Sequence, residues 1–290
     1  MEEISNGIVE NETYPLVIRH IPESMHTKYE RHFRQADEND QKYLQELKEM
    51  LQGNKLSTDI EFEDDFLKVY LVSNNYKIDK AFSKIQNFLH LRINHSYFFH
   101  NINFDFTQNP AYRFITILPL RRMDGSVSVL CEIAKWDPEE VPFEHLKQIV
   151  FMIYMQELRN PLTQACGFNV IHDFADVGLR YLKYSTPQNV YLLNHVSFEI
   201  MPAKYVGYHI INGNFITNLL VRLSRPFLPE FVRNILHIHS SVEELFEFFP
   251  HSMLPVQYGG TLTDYYMGDW LRKANEQHTN FPAGGRKNIF

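Results

Sequence analysis

Fourteen histidines and two cysteines are the side chains here with the most chemistry to offer. His90, His95 and His100 recur every five residues, which scatters them around a helix, where an i, i+4 spacing would stack them. His237 and His239 fall on one face of a strand, with no Cys or carboxylate cluster beside them in sequence to complete a metal site. No metal is expected. His172-Asp173 ends an apolar run, but no motif places a nucleophile near it, so it reads as a core or pocket histidine. Glu139-Glu140 and Glu243-Glu244 fall in first helical turns, where carboxylates suit the helix dipole. Gly259-Gly260 before Thr261 reads as a turn.

The motifs of common catalysts are missing. There is no G-x-S-x-G elbow, no phosphate loop ending in Gly-Lys-Ser/Thr, and no G-x-G-x-x-G after a strand. No catalytic residue and no cofactor is assigned, and an enzyme is not expected. A net charge of −7 argues against nucleic acid, whose phosphates call for a basic field. Cys131 and Cys166 both sit in apolar runs, too few to staple a secreted domain of this length, so a reducing, cytoplasmic setting is expected. No stretch approaches the roughly 20 apolar residues that span a bilayer.

The elements that must position these side chains follow from periodicity. Residues 1–24, with Pro15 and Pro22, read as a flexible leader. Tyr43, Leu44, Leu47 and Leu51 make a helical stripe that Gly53 stops. Phe66, Leu67, Tyr70 and Leu71 make a second stripe, and Ala81, Phe82, Ile85, Phe88 and Leu89 a third, so a small helical unit is expected over 25–100. The pattern then changes to alternating strands and helices. Strands are expected at 114–118, 127–134, 168–172, 205–211 and 236–239, with a turn at Met123-Asp124-Gly125-Ser126. Helices are expected at 143–158, from Pro187 to about Ile200, and over 214–224, where Pro226 ends the run. A capping box of Ser241 and Glu244 would open a last helix. Residues 271–290 read as a polar tail. Such alternation implies an α/β fold with a largely parallel, helix-covered sheet.

Between about 60 and 262 the chain resembles the CRAL-TRIO family, and more closely its branch with alpha-tocopherol transfer protein and cellular retinaldehyde-binding protein. The resemblance rests on Asp64-Asp65-Phe66-Leu67 with Tyr70-Leu71 and Tyr76, on Lys135-Trp136-Asp137-Pro138, and on Thr163-Gln164-Ala165-Cys166-Gly167. It continues through the strand ending in Asp173, Pro202-Ala203-Lys204, His209-Ile210-Ile211-Asn212, Arg225-Pro226-Phe227-Leu228 and Leu254-Pro255-Val256-Gln257-Tyr258-Gly259-Gly260. Each stretch is short; their order and spacing over some two hundred residues carry the weight.

The resemblance implies an N-terminal helical domain over 25–100 and a lipid-binding domain over 101–270, with a mobile lid helix over an apolar cavity. Carried over by position, the cavity would be lined by Val150, Tyr154, Phe168, Val170, His172, Val177, Leu193, Val196, Ser197 and Tyr208. The lid, residues 212–228, would add Phe215, Leu219, Leu220 and Leu223, which with Ile216 form one apolar stripe. His172, Tyr154 and Ser197 would receive a ligand hydroxyl or carbonyl. The implied activity is binding one hydrophobic lipid, tocopherol-, retinoid- or carotenoid-like, and moving it between membranes that the protein touches transiently.

Head-group contact would fall to Lys204, Arg222, Arg225 and Arg233, four basic residues against the single acidic Glu230 between 201 and 240, helped by Phe227, Leu228 and Phe231. Val206, Phe231, Ile235, Val72 and Asn74 stand where that branch is basic. At about 1 kcal/mol per basic residue near an anionic surface, five losses weaken a phosphoinositide site. Two alternatives stay open: a phospholipid or phosphoinositide exchanger, and a protein-interaction module with a vestigial cavity.

Overall fold

The computed structural model describes residues 38–106 and 109–278; the expected leader lies outside them. Three helices come first: α1 Glu38–Gln52, α2 Asp64–Ser73 and α3 Ile78–Asn94. Each hides the stripe its spacing foretells: Leu44, Leu47 and Leu51 on α1, Phe66, Leu67, Tyr70 and Leu71 on α2, Ala81, Ile85, Phe88 and Leu89 on α3. Their rings do not stop at residue 100. Phe66 meets Phe88 at 5.3 Å between centroids, Phe88 meets Phe99 at 5.2 Å, and Phe99 meets Phe151 at 5.2 Å, so one apolar core runs from the helical unit into the second half of the chain.

The remainder is a five-stranded sheet in the order β1-β2-β3-β4-β5: Ile115–Ile117, Val127–Glu132, Phe168–Asp173, Tyr205–Ile211 and Leu236–Ile238. β1 and β2 pair antiparallel and the other pairs are parallel. Parallel neighbours require crossovers, which are helical. α4 Phe143–Glu157 and α5 Pro161–Cys166 join β2 to β3, and α6 Pro187–Asn194 with a π turn His195–Ile200 joins β3 to β4. α7 Phe215–Ser224 and α8 Glu230–Asn234 join β4 to β5.

The two faces of the sheet serve different cores. Val127, Val129, Phe168, Val170 and Ile210 belong to the large core under the crossovers, while Leu130, Ile171 and Ile211 pack against Leu245, Phe249, Leu254 and Tyr258 behind. On the rear face the approach at Gly207 leaves no room for a side chain. A Cβ there would stand 2.3 Å from Asn169 Oδ1 and 2.7 Å from His209 Nε2. Gly207→Ala is therefore expected to destabilise the chain by about 1–3 kcal/mol, the range for overpacking, read as a lower urea midpoint at unchanged slope; a neutral substitution would show that the rear face yields.

Two expectations are corrected. Ser241 and Glu244 form no capping box: the Ser241 side chain makes no cap bond, a 3-10 turn over Val242–Glu247 replaces the helix, and Glu244 Oε2 accepts from the backbone N–H of Ser240 at 3.1 Å. Nor does a polar tail begin at 271. α9, Gly268–His278, buries Trp270, Leu271, Ala274 and His278 on one stripe, and His278 Nε2 lies 2.8 Å from the carbonyl of Phe98. That stripe is diluted by Lys, Asn, Glu and Gln, which conceals it from a reading by composition; residues beyond 278 lie outside the described ones.

Candidate functional site

Alternation along the strands and the parallel register assemble the inner face row by row. Ile117, Val129, Val170, Tyr208 and Leu236 form one row, and Ile115, Cys131, His172, Ile210 and Ile238 the next. A third holds Val127, Phe168 and Tyr205. Tyr205 and Tyr208, three apart, share this face because the register slips at Phe168/Asn169, where Val206 is passed over. The expected floor residues Phe168, Val170, His172 and Tyr208 do come together. Cys131, Tyr205 and Ile210 join them, unforeseen. Cys131 and Ile210 were legible from strand parity; Tyr205 was hidden by the slip.

His172 and Asp173 point to opposite faces and do not act as a pair. Asp173 serves the rear, accepting 2.6 Å from the Tyr258 hydroxyl, 2.8 Å from the Asn212 amide and 2.9 Å from the Ala175 N–H. His172 stands on the central strand, edge-on to Tyr208 at 5.0 Å and to Phe174 at 6.2 Å. Burial pushes its imidazole down to about 4, so the ring is neutral at pH 7. It nevertheless keeps accessible area, as do Val150 and Tyr208.

The walls are uncharged as well. Tyr154 on α4 rests on Phe168 at 4.8 Å and Tyr205 at 5.8 Å, and burial, with Tyr205, Cys131 and Tyr208 around it, holds its phenol protonated. Burial likewise raises the Cys131 thiol to about 12 and keeps Tyr208 protonated. Val177 and Val196 are buried; Leu193 and Ser197 are half-buried on the α6 and π-turn wall. The helical unit fixes that wall: Lys84 Nζ donates to Phe198 O at 3.0 Å and Met201 O at 3.4 Å, two of the carbonyls the π turn leaves over.

α7 crosses above the sheet between well-marked ends. Asn212 takes a left-handed φ of 53°, and Asn214 caps the helix reciprocally with Thr217 while its amide donates to Val177 O at 3.0 Å. Arg225-Pro226 and Pro229 interrupt the far end. The single stripe expected on α7 is in fact split. At about 100° per residue, Ile216, Leu220 and Val221 centre on the core side and are packed there. Phe215 is 78% exposed and Leu223 43% exposed; half-buried Leu219 lies on the helix arc between them. Phe215 and Leu223 therefore face outward, away from the sheet's inner face, contrary to expectation.

The outer surface gathers the rest. Phe227 and Phe231 are exposed, reaching Tyr191 at 6.3 Å and Phe198 at 6.0 Å, with Leu228 half-buried between them. Arg222, Arg225 and Arg233 are exposed around them, and Arg233 Nη1 donates to Leu228 O at 2.8 Å. Lys204 sits apart. Its Nζ donates to Ala165 O at 3.0 Å at the end of α5, a capping contact.

The histidine expectation is also revised. His237 and His239 are joined by His209 of β4, which sequence spacing did not suggest. Among the described residues no group of three or more His, Cys, Asp or Glu side chains has the geometry to hold a metal ion, and no helix is long and apolar enough to cross a membrane.

Three comparisons bear on this arrangement. The family model for the CRAL/TRIO domain matches residues 113–260. Clavesin-1 of Rattus norvegicus is 26% identical over 157 residues, 54% of this chain but only 44% of its own length. The Alpha-tocopherol transfer protein-like protein of Homo sapiens is 22% identical over 229 residues, 78% of this chain and 67% of its own. Among solved structures, that of Sfh5 matches with a TM-score of 0.51 at 10% identity, over 82% of this chain and 92% of that one, which supports the fold alone.

Proposed function

Because the chain belongs to the CRAL/TRIO domain family, a family of lipid-binding and lipid-transfer proteins, we propose that it is a non-catalytic carrier of one small, uncharged lipid. The observation that carries this reading is the inner face itself. Phe168, Val170, Tyr208, Cys131 and Ile210 below, and Tyr154, Val196 and Leu220 around and above, present no ionised group, and they enclose a neutral histidine whose ring meets aromatic edges. A largely apolar space with few polar groups selects by shape and fixes orientation. A lipid of isoprenoid size exposes several hundred Å² to water, worth on the order of 10 kcal/mol at about 25 cal/mol per Å². Enclosure offsets that cost during transit.

An anionic phospholipid head has no cationic partner on this inner face, which favours a tocopherol-, retinoid- or carotenoid-like ligand over the phospholipid alternative. The arginines lie outside, beside Phe215, Leu223, Phe227 and Phe231. They suit a transient encounter with an anionic bilayer surface, which would draw the protein to membranes from an aqueous, cytoplasmic phase. Transfer of a fluorescent isoprenoid alcohol between vesicle populations tests the reading: the chain should accelerate transfer in proportion to its concentration, and no acceleration would refute it.

His172, in this reading, hydrogen-bonds the ligand's single polar group. A neutral hydrogen bond is worth about 0.5–1.5 kcal/mol, so His172→Phe should weaken binding of an isoprenoid alcohol by roughly 2- to 10-fold while sparing the matching hydrocarbon. Equal effects on both ligands in a competition assay would remove the histidine from recognition.

A further inference from the structure

Behind the sheet, away from the inner space, three imidazoles are stacked. His209 of β4 lies 5.0 Å from His237 of β5 at 15° between planes, and 5.3 Å from His239 at 14°. His209 Nδ1 is 3.0 Å from His239 Nε2, and His239 Nδ1 is 3.4 Å from Glu244 Oε2. Phe248 closes on all three rings and Phe249 on His209.

The partners assign the protons. Glu244 has only acceptors to offer, so His239 Nδ1 carries a hydrogen and its Nε2 accepts from His209 Nδ1–H. His209 Nε2 is left as a buried acceptor with no partner. The cluster is complete with every ring neutral and has one site for an added proton. A proton added to His209 would face the standing positive charge of Arg122 from the β1–β2 hairpin, whose guanidinium lies over Phe249, and would oppose protonation of the neighbouring imidazoles. Asn169 and Gly207 face His209 without charge. Among the described residues, Glu244 and Glu247, beyond His239, oppose the repulsion.

The position of the stack gives it consequence. The crossover 212–235 leaves the sheet just after His209 and returns just before His237. At its return it is fastened by β5, an edge strand with three register pairs, and by the His239 N–H to Ile210 O bond of 2.9 Å. The imidazole stack is the side-chain part of that fastening.

We propose that His209 and His239, stacked against His237, form a proton-binding latch that holds the return end of the α7–α8 crossover and releases it as pH falls. Burial, with the neighbouring imidazoles and Arg122, pushes His209 down to about 3 in the closed form, and burial lowers His239 as well. An imidazole set free returns to about 6.5. A group whose closed-state value is depressed stabilises the closed state above 6.5 and loses that contribution as pH drops below it. Under the carrier reading, an acidic membrane surface would then promote unloading; the latch itself needs no lipid.

Amide hydrogen exchange on the lipid-free chain tests it. After correction for intrinsic rates, the opening equilibrium over 236–239 should rise by about ten-fold for each imidazole released between roughly pH 7.5 and pH 5.5. His209→Phe, which keeps an aromatic in the stack, should remove about one such factor, and His239→Gln, at its rim, should weaken the acid response in the same direction. An unchanged acid response in His239→Gln, or in both variants, would overturn the latch and assign the response to histidines elsewhere. Because the readout uses no lipid, failure of the carrier proposal leaves it standing or falling on its own.

Discussion

Leu220→Asp is expected to release bound lipid roughly ten- to a hundred-fold faster than the unaltered chain, with little change in thermal midpoint. Leu220 is half-buried on the core side of α7, the side that Ile216 and Val221 also occupy. Removing its contacts costs about 1.5–3 kcal/mol, and each 1.4 kcal/mol is a factor of about ten. A carboxylate that must shed water for the helix to close adds to this. Under the carrier proposal, global stability is spared because α7 would lift without unfolding the sheet, turning at Asn212 and Pro226, since segments that gate ligands come from the weakly held part of a fold. Leu223→Asp is the matched control. At 43% exposure, it should leave retention intact while reducing association with anionic vesicles. Normal retention in Leu220→Asp would show that α7 is not the cover.

Asp173→Ala should cost about 3 kcal/mol of folding stability. The carboxylate ends the central strand and receives the Tyr258 hydroxyl, the Asn212 side-chain amide and the Ala175 N–H. Its removal leaves the buried Tyr258 hydroxyl only the longer 3.4 Å contact to Glu132 and deprives two partly buried donors of their acceptor, at about 1–3 kcal/mol for a fully buried one. Both ends of the corner suffer: Tyr258 anchors the rear segment against Glu132 and Asp173, and Asn212 opens the crossover that follows β4. Thermal unfolding should shift by about 5 °C for a chain of 290 residues. Asp173→Asn, which keeps one acceptor, should fall by less than half as much. Equal losses in the two variants would mean that charge, not hydrogen bonding, holds the corner.

Much of this was legible beforehand, and the exceptions share a cause. Long stripes such as Leu44-Leu47-Leu51 announce themselves because one face is buried over several turns, and runs such as Val127 to Cys131 because a strand buried on both faces stays apolar nearly throughout. α5 was not read as a helix because six residues hold no period. Its signal lies in Asn160-Pro161, where Asn160 Oδ1 accepts from the Leu162 N–H at 3.0 Å. α9 was missed because four buried side chains are interleaved with polar ones. On α7 the apolar residues span about two-thirds of the helix circumference, so sequence could not say which part of that arc turns inward; only packing in the fold decides that Phe215 and Leu223 face out. The imidazole stack was invisible because its members are 28 and 30 residues apart and meet through strand pairing.

Native mass spectrometry of the purified chain tests the carrier proposal most directly. The expected spectrum shows a fraction of the protein carrying one added mass of a few hundred daltons, which organic solvent extracts as an uncharged isoprenoid and which Leu220→Asp no longer retains. A bound phospholipid, or a chain that stays empty even after incubation with isoprenoid-loaded vesicles, would contradict it.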